Sequence, residues 1–334
     1  MGKRRIRNLM ELKVDKIIGF DICEDRRKQV TDLYPIEIVD DLESAFSKNP
    51  DAMIISTPPD KHKEYALIAS KKKIPFFTEV NTMTPEDMQS IINSMNENKT
   101  VGIPSSNVMF HPSLVKMKEL LDHDQIGQPL TFNFHSGAYL PDWHPWEKLD
   151  EYYVNQKNTG GGRDQIMWEL VWVYQLMGRP KIITAFTKKL GTFEADIFDV
   201  YDLLIIFDNG VLGQIMVDVI QRPPTRFCQI IGTKGTIRWD YDQKLVRIYS
   251  TETKKWTEYP EEENYKGYNV ESHKPGFTTK DRGFVESYVD EMKNFIEIIC
   301  KNKKPEFTFE DEKILLETMY AAEKSSENGI HVKI

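Results

Sequence analysis

Cysteine is scarce. The three present, Cys23, Cys228 and Cys300, lie far apart and form neither a CxxC pair nor a disulfide framework. They read as small apolar residues or free thiols of a reducing compartment. No apolar run approaches the ~20 residues of a membrane span. The basic start, residues 1–7 (MGKRRIR), lacks the apolar core of a signal peptide. Positive charge is not in excess either: 44 Lys and Arg against 52 Asp and Glu give a net charge of −8. That balance argues against a general nucleic-acid or anionic-membrane binder. Histidines are few and scattered, with no metal-ligand spacing. No internal repeat or low-complexity tract is visible. What is there suits a globular chain: 334 residues, 40% apolar and 29% charged, enough for about two domains. A soluble, cytoplasmic protein without metal, nucleic-acid or membrane partners is expected.

The first hundred residues alternate strand and helix. Helical spacing over 3–12 (Ile6, Leu9, Met10, Leu12) is followed by a strand at 16–20 and a charged helix at 24–33. Then come a strand at 36–39, a helix at 41–47 and a buried strand at 52–55. Helix 60–72, strand 75–79, helix 85–97 and strand 100–103 continue the rhythm. Short apolar runs separated by helices predict βαβ units and a doubly wound parallel sheet, with ligands at the carboxyl ends of its strands. Beyond residue 125, strands follow one another at 128–139, 181–189, 199–207, 211–221, 226–231, 234–239 and 243–249, which predicts a mostly antiparallel, α+β second domain. Helices at 164–177, 282–300 and 309–325 and a strand at 330–333 complete it. Residues 259–282 read as one long polar loop. The expected domains are 1–120 and 121–334, the final strand returning beside the domain junction.

A dinucleotide site needs a strand, a Gly-x-Gly-x-x-Gly turn, a helix, and an acid ~20 residues on. Asp21 ends a predicted strand 19 residues after Gly2, and Gly2 opens a helix carrying Lys3, Arg4, Arg5 and Arg7. Cations at a helix N-terminus suit an anion bound there. The layout matches the back half of the fingerprint with strand one absent, and an upstream strand with Gly-x-Gly is expected. The loss would expose two neighbouring strand edges. The competing reading is a solvated basic helix with an unrelated glycine. A second strand end, Ile54-Ile-Ser-Thr-Pro-Pro59, runs into a rigid turn before Lys61, His62 and Tyr65, where a cofactor ring would lie; an ordinary strand-to-helix turn competes.

These residues, with Phe77-Thr-Glu79, Phe110-His-Pro-Ser-Leu114, Gly232-Thr-Lys-Gly-Thr236 and the ending 322–333, resemble the Gfo/Idh/MocA oxidoreductases along the whole chain. Residues 139–146 with Gly160-Gly-Gly162 look like the branch acting on sugars and nucleotide sugars. The resemblance implies a Rossmann domain followed by an open-faced sheet often used for oligomer contacts, here a homodimer or homotetramer. It implies phosphate binding at Gly2, Lys3 and Arg4, and adenosine ribose on Asp21, favouring NAD, with Arg26 and Arg27 keeping NADP open. Ser56, Thr57, Pro58 and His62 would line the cofactor, Glu79 would meet the nicotinamide ribose, and Asn107 would reach the nicotinamide end.

The catalytic positions depart from the family's pattern. Its Glu-Lys-Pro reads Glu79-Val80-Asn81, so the lysine that polarises substrate is a valine, and its His-x-x-Asp pair falls near Trp168 and Val171. In the nearly all-apolar stretch 165–177, Glu169 becomes the candidate acid/base, with a raised pKa and with Arg163 or Asp164 as partner or substrate clamp. A structural carboxylate satisfied by Arg163 or a backbone donor is the alternative. His144 is a second proton-shuttle candidate, beside Tyr139, Asp142 and Trp143 as substrate contacts; a packing loop anchored by Trp143 and Trp146 competes. The expectation is an NAD(P)-dependent enzyme acting on a CH–OH of a sugar, sugar acid or nucleotide sugar. The alternative is a non-catalytic member that binds cofactor or sugar as a sensor or partner subunit.

Overall fold

The computed structural model describes residues 1–143, 145, 148–151, 153–268 and 282–334. The first part alternates as its periodicity predicts: α1 (Gly2–Glu11), β1 (Ile18–Phe20), α2 (Glu24–Leu33), β2 (Glu37–Val39), α3 (Leu42–Phe46), β3 (Met53–Ile55), α4 (His62–Lys71), β4 (Phe76–Thr78), α5 (Pro85–Asn98) and β5 (Gly102–Pro104). All of its pairings are parallel, but they make two sheets, β1–β2 and β3–β4–β5. Caps follow local chemistry. The Thr84 hydroxyl accepts from the Asp87 N–H ahead of Pro85, which suits the first helical position.

One detail of α1 differs from expectation. Ile6 and Met10 were expected on its apolar face, yet Arg5 and Asn8 are the buried residues, and Met10 is exposed. A buried arginine needs carboxylates, and two are waiting at the strand ends, as described below.

α6 (Pro112–Asp122) leads into a nine-stranded sheet built from β6 (Pro129–Gly137), β7 (Pro180–Lys188), β8 (Val200–Phe207), β9 (Leu212–Asp218), β10 (Thr225–Gly232), β11 (Gly235–Asp240), β12 (Leu245–Ser250), β13 (Lys255–Pro260) and β14 (Val332–Lys333). Its order is β13-β12-β11-β10-β6-β9-β8-β7-β14, antiparallel except for the β6–β9 pair. β13 was not foreseen. Its residues are almost all exposed, so the edge strand lacks the apolar alternation that reveals a half-buried one. It takes in the first two residues of the expected long loop, whose residues 269–281 lie outside the described ones. The final strand pairs with β7, Val332 opposite Ile183.

α6, α7 (Gly162–Met177) and α9 (Phe309–Asn328) pack on the large sheet, α9 also reaches β5, and α8 (Arg282–Lys301) packs on the first part of the chain. α7 is buried along most of its length. α9 starts in a reciprocal Thr308–Asp311 capping box and stops at Gly329, whose φ of 64° is left-handed. α8 lays Met292, Phe295 and Ile298 against Phe77 and Ile103 of β4 and β5. That packing carries Tyr288 and Glu291 to the carboxyl ends of the parallel strands.

Candidate functional site

At the ends of β3, β4 and β5 the polar side chains form a continuous line. Glu79, just past β4, accepts from Arg5 Nε and Nη2, one per oxygen, both at 2.7 Å. The Ser56 hydroxyl, just past β3, donates to the same carboxylate at 3.1 Å. Arg5 Nη2 also lies 2.7 Å from Glu291 Oε2 on α8. The other oxygen of Glu291 accepts from the Ser105 hydroxyl at 2.9 Å and the Ser106 N–H at 2.5 Å, beyond β5. Burial would raise Glu79, but the guanidinium holds it below the usual carboxylate range. Burial wins at Glu291, which is pushed up. The line ends at Asn107, which accepts from Trp168 Nε1 of α7 at 2.8 Å and donates to Ser287 at 3.3 Å.

Three glycines dock the start of α7. A Cβ on Gly160 would stand 2.1 Å from Val154 Cα, one on Gly161 2.4 Å from Ile197, and one on Gly162 2.7 Å from Tyr201; Gly161 also has φ +60°. No other residue allows so close an approach. The docking fixes Asp164 one turn before Trp168, on the helix face that meets Asn107. Asp164 accepts one hydrogen bond, from the Tyr153 hydroxyl at 3.4 Å, and burial raises it to about 7.

Several expected site residues are engaged elsewhere. Glu169 is fully buried, and its oxygens take the Arg226 guanidinium at 2.6 Å, Gln165 at 2.8 Å and Trp172 Nε1 at 2.8 Å. Its partner is Arg226 of β10, not Arg163 or Asp164, and its complete burial leaves it no open side for a substrate. Arg163 is tied to Glu323 of α9 through two hydrogen bonds of 2.9 and 2.5 Å, so it is no clamp in the cleft. His62, fully buried, bonds Asn81 at 2.8 Å and the Thr57 carbonyl at 2.9 Å, and burial lowers its pKa; it is a brace rather than part of a cofactor wall. Asn107 is equally enclosed. Asp142 forms an exposed pair with Arg222, whose guanidinium lies 3.6 Å over the Tyr139 ring. Trp143 packs on Leu140, Val154, Ile197 and Val219, as a loop anchor would. His144 and Trp146 lie outside the described residues.

Other expected cofactor positions lie at the end of β1 and the start of α1. Asp21 ends β1, accepting from the Cys23 N–H at 2.8 Å and standing 4.0 Å from Arg26. Gly2 is open, Lys3 reaches Gln29 at 2.6 Å, and Arg4 lies over the Tyr288 ring at 4.2 Å. Thr57 is half-buried and Pro58 exposed. Arg5 Nη1, Asn8 Nδ2 and Thr57 Oγ1 are buried without a hydrogen-bond partner. Unpaired buried donors around strand ends suit a ligand rich in oxygen acceptors, as a dinucleotide is. Glu291 and Arg226 are absent from the sequence-based expectations, and Arg5 figures there only among the cations of α1, not as the partner of Glu79. Arg226 shares the inner-face parity of β10 with Cys228 and Ile230. Among the described residues no group of three or more His, Cys, Asp or Glu could hold a metal ion, and no helix is long and apolar enough to cross a membrane.

Residues 114–238 match the GFO/IDH/MocA C-terminal domain. The chain is 22% identical over 325 residues to a myo-inositol 2-dehydrogenase of Thermotoga maritima, covering 94% of this chain and 89% of that protein. Its fold superposes with a TM-score of 0.84 on an Agrobacterium radiobacter oxidoreductase in complex with NAD+, L-tartaric acid and magnesium, at 16% identity and 98% and 95% coverage. A levoglucosan dehydrogenase in complex with NADH and levoglucosan gives 0.79 at 16% identity, covering 95% and 90%. Residues 114–238 thus match the C-terminal domain of the Gfo/Idh/MocA family, and the whole chain shares the fold of these solved oxidoreductases.

Proposed function

We propose that the protein is an NAD-dependent dehydrogenase that oxidises a secondary hydroxyl of a sugar or sugar-like polyol. The observation that carries this is the set of unpaired buried donors on α1 and just past β3, beside the carboxylate of Glu79 at the strand ends. Dehydrogenation of inositol and binding of levoglucosan by its relatives support the substrate class. Asp21 would take the adenosine ribose, and its carboxylate favours NAD over a 2′-phosphorylated cofactor. Residues 1–120 would hold the dinucleotide and 121–334 the substrate. The three free thiols fit a reducing, cytoplasmic setting.

The nicotinamide supplies the hydride acceptor when bound; the chain must align the substrate and take its hydroxyl proton. Asp164 is the group suited to that second task. It is weakly hydrogen-bonded, is desolvated to a pKa of about 7, and lies a helical turn from the contact between α7 and the end of β5. Glu169, locked on Arg226, instead braces α7 against β10. The second half would also carry self-association. Phe186, Leu204, Ile206, Leu212, Phe227 and Ile231 are exposed on the sheet face away from the helices, an apolar expanse typical of contact between copies.

Absorbance at 340 nm with NAD and a panel of cyclic polyols and sugars tests the reading. Turnover of at least one supports it. NADH binding without turnover of any would favour the sensor alternative, which the loss of the lysine at Val80 and the histidine at Trp168 motivates.

A further inference from the structure

Position 80, where the family places its lysine, is valine, and the cation at this end of β4 is Arg5. Its fork is unevenly used. Nε and Nη2 are spent on the two oxygens of Glu79, the residue before Val80, and Nη2 also faces Glu291. Nη1 is buried and has no partner. The guanidinium is held in place by rings, 4.6 Å from Phe77 and 5.2 Å from Tyr288. A buried donor left unpaired costs about 1–3 kcal/mol, and two carboxylates already exceed the one positive charge, so the missing partner is an oxygen acceptor and not another cation.

We propose that Arg5 supplies the donor that Val80 cannot, Nη1 pairing with an oxygen of the ligand bound over the ends of β3 and β4. The proposal rests on the NAD-dependent reading above and deepens it. Asn8 Nδ2 and Thr57 Oγ1, buried and unpaired in the same region, point to the same oxygen-rich occupant. A lysine at position 5 could not replace this arrangement. An ammonium is a point charge, whereas a guanidinium can grip a carboxylate with two arms and keep a third in fixed orientation. The oxygen belongs either to the dinucleotide or to the substrate, and the two sources give different readouts.

The test compares the wild-type protein with Arg5→Lys and Arg5→Ala. NADH affinity is read by fluorescence titration, turnover by the polyol that the wild type oxidises fastest, and folding by thermal melting. Arg5→Lys keeps the charge that balances Glu79 and Glu291, so it decides the matter if Arg5→Ala does not fold. A rise in Kd for NADH of tenfold or more in Arg5→Lys places the oxygen on the cofactor. An unchanged Kd with kcat/KM lowered tenfold or more places it on the substrate. In Arg5→Ala, millimolar guanidinium should restore part of whichever quantity is lost, a rescue that a purely structural arginine would not show in Kd or kcat/KM. Arg5→Lys matching the wild type within threefold in both, or a wild type without turnover and an unchanged Kd, overturns the assignment while leaving the cofactor reading intact. A wild-type protein that binds no NADH overturns both.

Discussion

Asp164 and Glu169 sit five residues apart on one helix, and their surroundings set their roles. Glu169 accepts from a guanidinium, an amide and an indole; Asp164 accepts one long hydrogen bond and has burial pushing it to about 7. The account therefore expects Asp164→Asn to lower kcat about 10²-fold or more. It also expects kcat for alcohol oxidation to rise with pH through about 7 in the wild type and to lose that rise in Asp164→Asn. Glu169→Gln strands a half-neutralised Arg226 and should act on stability, by about 3–5 kcal/mol in chemical denaturation. A dominant kinetic effect of Glu169→Gln on a fully folded protein would reverse the two assignments. Glu312 offers a check on burial itself. It accepts from the Asn81 side chain at 2.7 Å, yet burial raises it from 4.5 to about 8. Between those values the folded protein keeps a proton that the unfolded chain releases, so stability falls as pH rises through that window. Glu312→Gln should flatten that part of the curve of melting temperature against pH.

Elements were easier to foresee than side-chain partners. The helix at 24–33 and the strands from 181 onward stand out because apolar period and turn residues are local properties of the chain. β13 escaped because an exposed edge strand has no buried face to imprint on its sequence. Arg163 was the natural partner for Glu169 by proximity along the chain, but the helical twist points it to α9, and the actual partner is 57 residues away. Of the candidate site, the strand-end positions Asp21 and Ser56 were legible from their place after apolar runs, and Glu79 only through the resemblance. The pairing of Arg5 with Glu79 and Glu291 was not, since nothing in their sequence neighbourhoods shows that α8 would bring them together. At this scale α9 is the most exposed to a single test. Thr308→Ala removes one side of its capping box and should cost about 1 kcal/mol, read as a lower denaturation midpoint with unchanged slope.

The described molecule has two small parallel sheets and one large mixed sheet, tied together by helices. α8 packs late-sequence residues on the first sheet, α9 lies between β5 and β7, and the functional line crosses from Ser56 to Trp168 over that seam. Among the described residues no helix covers the outer face of the large sheet, and its exposed apolar residues on β7–β10 are where the proposed self-association would form. Ile206→Glu should weaken that association, shifting sedimentation toward monomer without lowering the melting temperature of the monomer. The central claim is that the strand ends hold a dinucleotide, and a fluorescence titration with NADH in parallel with NADPH tests it most directly. The account predicts saturable micromolar binding of NADH and at least tenfold weaker binding of NADPH, because Asp21 meets the ribose. No binding of either nucleotide to the folded protein would contradict it.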